Sequence, residues 1–267
     1  MTTAIEQLIK MHDPRCVSIE SLNVGRGHAV LTREQILGAL AAAQHQYPVG
    51  FDLLMTKYRH DYQAEQRVRA AIGVWLNARP HPDRAIAVCQ LALNVLLERS
   101  IPAQVAYIAS LLRRYGFRTG ITRKTVEGLR QQIKMLERDK AQSQDDNAIQ
   151  ALAGEIAVME RKIKRERANL HAWAEREAAT TQVCPRCHGA GKTLRPHPES
   201  CNECDGNGRI TATMAHLRKS MSIIGAEIPA GEWAARYIPL VKDCLQWLYI
   251  EESEATNTLT NQINNER

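Results

Sequence analysis

Four cysteines constrain this chain more than any other feature. They fall in Cys184-Pro185-Arg186-Cys187-His188-Gly189-Ala190-Gly191 and Cys201-Asn202-Glu203-Cys204-Asp205-Gly206-Asn207-Gly208, two copies of C-x-x-C-x-G-x-G with thirteen residues between Cys187 and Cys201. Two cysteines separated by two residues bring both thiolates of one turn to the same ion. Two such turns supply the tetrahedral four-sulfur set that Zn²⁺ prefers. The glycines fit that reading, because a turn that aims backbone N–H groups at sulfur needs positive φ near the second cysteine. The spacing therefore predicts one structural Zn²⁺ held by Cys184, Cys187, Cys201 and Cys204, with His188 and His197 as substitute ligands and a pair of disulfides as the competing reading. A closed four-sulfur set leaves no open coordination position, so hydrolytic chemistry, and with it an enzyme, is not expected.

The other three cysteines, Cys16, Cys89 and Cys244, stand far apart. That usage suits a reducing cytoplasm. The N-terminal Met-Thr-Thr-Ala-Ile-Glu-Gln lacks a basic segment followed by an apolar run, so no secretory leader is expected. The most apolar stretch, Ala85 to Leu97, is broken by Gln90 and Asn94 and is too short to span a bilayer. With 35 Lys and Arg against 29 Asp and Glu, the net charge of +6 favours a polyanionic partner; neither a membrane nor a small-molecule substrate is an expected partner.

Residues 12–30 hold Pro14, Gly25 and Gly27 and read as loop. Thr32-x-x-Gln35 reads as a capping box opening a helix through Ala43 that Pro48 and Gly50 end. Apolar positions from Phe51 to Ala78 recur at helical spacing, as one long or two abutting helices. After Arg79-Pro80-His81-Pro82, Asp83 is placed to cap a helix whose buried face includes Ile86, Leu91 and Leu93. Ser100 and Pro102 open another, ending at Gly116, so residues 83–116 read as helix, tight turn, helix. Between Arg99 and Val126 lie six basic residues and no acidic one, with Tyr115 and Phe117 interleaved. A basic helix end beside a turn can present cations to phosphates, which makes Arg113, Arg114 and Arg118 candidate contacts to DNA; a solvated helix face is the plainer alternative.

Val126, Leu129, Ile133 and Leu136 step by three and four. After a polar turn at Ser143 to Asn147 the series resumes at Ile149, Leu152, Ile156, Met159 and Ile163, then Leu170 and Trp173. Such a stripe predicts an antiparallel helical hairpin. No strand alternation appears. The expected fold is mainly α: a helical bundle core with an inserted antiparallel helical hairpin and a small four-cysteine zinc-finger loop. The expected division is 1–121, 122–180, 181–211 and 212–267, with the acidic residues from Glu251 onward fraying.

The two cysteine turns, the short basic helix Ala215 to Met221, Ile228-Pro229, Trp233 with Pro239-Leu240, and Glu251-Glu252-Ser253-x-Ala255 together resemble the C-terminal part of the lambdoid phage late-gene antitermination proteins of the Q type. The likeness is strong over 182–262 and weaker over 20–98, and the hairpin reads as an insertion. It implies a factor that binds double-stranded DNA at a late promoter, joins paused bacterial RNA polymerase holoenzyme while sigma factor is still attached, and lets it read through terminators in the host cytoplasm. Only the four cysteines carry over residue by residue. Arg186, Lys192, Arg195, Arg209, Arg218 and Lys219 lie in the matching region and are expected DNA contacts on charge and position.

A second resemblance is to the cysteine-rich domain of J-domain cochaperones, which is built from the same C-x-x-C-x-G-x-G unit. His81-Pro82-Asp83 echoes the tripeptide of a J-domain, but that cysteine-rich domain carries four units where this chain has two. A zinc-dependent protein-interaction module without nucleic acid is the third reading.

Overall fold

The computed structural model describes residues 33–194 and 197–265, so the loop expected over 12–30, the cap at Thr32 and the candidate contact Arg195 lie outside the described residues. The chain is mainly α-helical, as the pattern predicts, and divides into two compact units. One comprises residues up to Arg99 together with Ile224 onward; the other is Ser100–Ile223. This differs from the division expected at 121/122 and 211/212. The physical reason is that the helix before residue 116 packs with the cysteine turns and the hairpin, and the helix after residue 212 packs on that same helix.

The first unit holds α1 (Arg33–Gln46), α2 (Pro48–Arg59), α3 (Tyr62–Asn77), α4 (Ala85–Leu96), α9 (Ala230–Glu232) and α10 (Ile238–Asn265). Pro48 ends α1 and also opens α2, because its fixed φ suits the first turn of a helix and that position has no intrahelical partner for an N–H. The run from Phe51 to Ala78 is two abutting helices. His60 closes α2 in the left-handed region, and the Asp61 carboxylate accepts from the N–H groups of Gln63 and Ala64 to start α3.

Asp83 does not cap α4. Arg84, at φ 67°, holds the cap position without a side-chain bond, and the Asp83 carbonyl instead accepts from the Tyr237 hydroxyl. Ile86 is exposed; Ala85, Val88, Cys89, Ala92 and Leu93 form the buried face. A π-helical turn, Trp233–Tyr237, leads into α10, where Ile238 N–H bonds back to the Trp233 carbonyl just before Pro239, which has no N–H to give.

The expected fraying after Glu251 is not found. Ala255 and Leu259 are buried among Ile36, Leu40, Phe51 and Leu54, and Glu252 pairs with Lys57 at 2.6 Å. The acidic residues there are half-buried beside a helix face that is core.

The second unit holds α5 (Pro102–Tyr115), α6 (Phe117–Gln142), α7 (Asp146–Thr180), the short antiparallel strands β1 (Lys192–Thr193) and β2 (Glu199–Ser200), and α8 (Met214–Ile223). Helices α6 and α7 are the expected hairpin, although α6 begins at Phe117, ahead of the expected boundary at 122, and takes in Arg118. Its seam of Leu129, Ile133, Leu136, Ile149, Leu152, Ile156 and Ile163 is half-buried throughout, as two helices alone can achieve. Near its root, Trp173 and Ala174 enter a core with Ile108, Leu111 and Leu112 of α5. α4 and α5 belong to different units, so the division falls inside the helix, turn, helix expected over 83–116.

Candidate metal centre

The cysteine turns build a closed knuckle by reciprocal bonding. Cys184 N–H donates to the Gly208 carbonyl and Cys201 N–H to the Gly191 carbonyl, each at 2.9 Å, so the first cysteine of each half is tied to the last glycine of the other. The same symmetry explains two glycines. At Gly191 (φ 71°) a Cβ would lie 2.2 Å from the Gly206 carbonyl oxygen, and at Gly208 (φ 73°) 2.2 Å from that of Gly189. Backbone meets backbone there, and no side chain fits.

The four sulfurs converge. All lie within 4.8 Å of one another, with Cys184–Cys201 at 3.8 Å and Cys187–Cys204 at 3.7 Å. A tetrahedral thiolate site with metal–sulfur bonds of about 2.3 Å has sulfur–sulfur edges of about 3.8 Å, whereas a disulfide needs about 2.05 Å. The donor set therefore fits a metal ion, and the disulfide reading is not met. His188 and His197 are exposed and stand outside the cluster.

Buried thiols need a reason to ionise. Burial pushes Cys184 up to about 12 against the pull of the Cys187 and Arg186 N–H groups. For Cys187 burial acts the same way, but the Gly191 N–H, the Cys204 thiol, the Gly189 N–H and the Cys184 thiol together outweigh it and bring the thiol below its ordinary value. Gly208 N–H lies 3.3 Å from the Cys204 sulfur. Protein donors stabilise part of the thiolate charge, and a bound cation would supply the rest.

The knuckle is fastened to α5 through a carboxylate that sequence reasoning missed. Glu203 accepts from Tyr107 Oη at 2.6 Å and Tyr115 Oη at 3.2 Å, and Arg114 lies 3.8 Å away. The Tyr107 hydroxyl bond holds the Glu203 carboxyl below the usual range despite burial, with Tyr115 and Arg114 adding to it. Gln104 Nε2 donates to the Ile210 carbonyl at 2.6 Å, and the Ala103 N–H donates to Ser220 Oγ at 3.0 Å, fixing the knuckle's exit and α8 to the same helix.

These attachments occupy several expected DNA contacts. Arg114 is held by Glu203; Arg186 lies 3.9 Å from Glu199 and over the Tyr115 ring. Arg113 is 3.3 Å from His171 Nδ1, Arg118 sits over Trp173, and Arg209 donates to Gln182. Lys192, Arg218 and Lys219 are exposed. The candidates share one unit, but the structure does not bring them into one cluster of unpaired charge.

Fold and site define a helical protein that carries a four-cysteine knuckle able to hold a metal ion. Over residues 2–267 the chain matches the family described as Conserved hypothetical protein CHP02642, and it belongs to that family. A stretch of 52 residues is 40% identical to the Chaperone protein DnaJ 1 of Cutibacterium acnes, covering 20% of this chain and 10% of that protein. The chain thus spans about a tenth of the length of that relative. No solved structure matches it significantly. Among the described residues, no helix is long and apolar enough to cross a membrane.

Proposed function

We propose that the protein is a phage-type transcription antitermination factor, a zinc-braced protein that binds late-promoter DNA and joins paused RNA polymerase holoenzyme. The observation that carries the reading is the closed four-sulfur knuckle docked onto α5, with Lys192, Arg218 and Lys219 exposed around it. Zinc suits the site because four thiolates at tetrahedral spacing are its preferred structural set. Its role would be to hold the two turns together, since a segment this small makes no core of its own. DNA recognition and polymerase contact rest on the Q-type resemblance over 182–262, and the basic charge supports a phosphate-bearing partner.

The test is direct. Zinc-replete protein is titrated with its own late-promoter fragment, then added to transcription by bacterial holoenzyme across a terminator. Salt-dependent binding with read-through is expected; absence of both at low salt rejects the reading. The identity shared with a DnaJ chaperone favours a second function, zinc-dependent binding of polypeptide. That reading expects capture of an unfolded client with little dependence on salt.

A further inference from the structure

Among the described residues the hairpin has no cation in an ion pair, although its Arg118 sits over the Trp173 ring. Residues 117–134 and 160–167, its root, hold ten cations (Arg118, Arg123, Lys124, Arg130, Lys134, Arg161, Lys162, Lys164, Arg165, Arg167) against the three carboxylates of Glu127, Glu160 and Glu166. Residues 135–159, its tip, reverse the balance, with Arg138 and Lys140 against Glu137, Asp139, Asp145, Asp146 and Glu155. The arm is basic where it leaves the body and acidic where it ends.

At the root an open cleft of about 370 Å³ lies between the two helices, with Arg123, Arg130 and Arg167 on its walls beside Thr122 and Glu127. Arg123 and Arg130 are one heptad apart and flank the seam on α6; Arg167 flanks it on α7, between Ile163 and Leu170. Facing flank positions of paired helices normally carry opposite charges. Here they carry like ones. Among the described residues no carboxylate lies within ion-pair distance of any of the three, and all three are exposed. Glu127 is the one carboxylate among the cleft's lining residues, so three cations face one anion there, a surplus that a bound polyanion would neutralise.

We infer that this arginine cleft seats the phosphodiester backbone of the double-stranded DNA that the protein binds. The inference rests on the reading above as a DNA-binding protein and adds a contact surface outside the knuckle and its neighbours. Guanidinium groups match phosphate oxygens in geometry as well as charge. No aromatic side chain lines the cleft to stack a base, so the contact positions the protein without reading sequence. An open cleft also suits a passing strand better than an enclosed nucleotide.

The experiment compares the full-length wild type with an Arg123→Gln/Arg130→Gln/Arg167→Gln variant and with the corresponding triple Lys variant. Each zinc-replete protein is titrated with a labelled duplex of about 30 base pairs and unrelated sequence at several salt concentrations. The Gln variant is expected to bind about tenfold more weakly or worse, with a log–log salt slope shallower by about 2.7, because three neutralised contacts release fewer counterions. The Lys variant should keep most of the slope. Removing like-charge repulsion should leave helicity and melting temperature unchanged or higher, whereas a structural role would lower them. A Gln variant that binds with wild-type affinity and slope overturns the inference and leaves DNA binding to another surface. A wild type that binds no duplex at all removes the proposed function together with it.

Discussion

The knuckle and the hairpin root belong to one compact unit and are both basic in sequence, yet they treat their charges oppositely. At the knuckle and on α5 beside it most cations have partners: Glu203 lies near Arg114, Glu199 sits beside Arg186, and Gln182 accepts from Arg209, while Lys192 is exposed. At the hairpin root, Arg123, Arg130 and Arg167 face one another across a cleft. A motif recognised by spacing thus marks where the chain is stiff. A denser run of unpaired cations lies on the hairpin, on helices whose sequence looks like any solvated coiled coil. On the proposed reading, the knuckle would brace and the arm's root would contact DNA.

The largest expected effect separates the two regions outright. Cys187→Ser or Cys204→Ser, or removal of metal by a chelator, should cost the knuckle ~10 kcal/mol of folding free energy. Hydrogen exchange across residues 182–210 should become fast while the α1–α4 and α10 helices keep their protection and most of the helicity survives. Global unfolding of these variants would contradict the separation.

A subtler cut at the same region is Gly191→Ala. The added Cβ would meet the Gly206 carbonyl at 2.2 Å in a left-handed backbone. A cost of about 3 kcal/mol is expected, which competition with a metal indicator should read as roughly a hundredfold loss of affinity. Near-normal affinity would show that the halves can part without losing the ion.

Acid offers a control outside both regions. Burial raises the pKa of Glu65, but hydrogen bonds and charge from Arg99 and Arg69 more than offset it, and the carboxyl ends below its ordinary value. A group depressed in the folded state contributes stability above its unfolded pKa and loses it as pH falls through the folded one. Melting temperature should therefore fall as pH drops below about 4.5, and Glu65→Gln should flatten that fall at a cost of about 1–2 kcal/mol near neutrality. An unchanged acid profile would remove Glu65 from the account.

The smallest effect sharpens the contrast most. Arg114→Gln and Arg186→Gln should each weaken duplex binding by less than about twofold, since partly neutralised cations release few counterions. A loss as large as that of the hairpin variant would erase the distinction between the regions.

Much of this was legible in the chain. The spacing of Cys184, Cys187, Cys201 and Cys204 picked out the four sulfurs that converge, and the three-four stepping of Val126 to Trp173 gave the hairpin. Both signals are local. What escaped depends on partners distant in sequence. Glu203 reads as a variable position inside a C-x-x-C turn until Tyr107 and Tyr115 are seen to donate to it. The segment after Glu251 looks like an acidic tail because its apolar residues, Ala255 and Leu259, are sparse, and only packing against α1 and α2 makes them core. Residues 83–116 carry every local mark of a helix-turn-helix, but no local signal says that its helices join different units.

That the four converging sulfurs hold a single metal ion is the central claim. Native mass spectrometry of the protein purified without added metal, paired with elemental analysis, tests it most directly. One zinc per chain, lost in Cys187→Ser, is the expected result; a metal-free mass, or a mass lower by four protons from two disulfides, would contradict it.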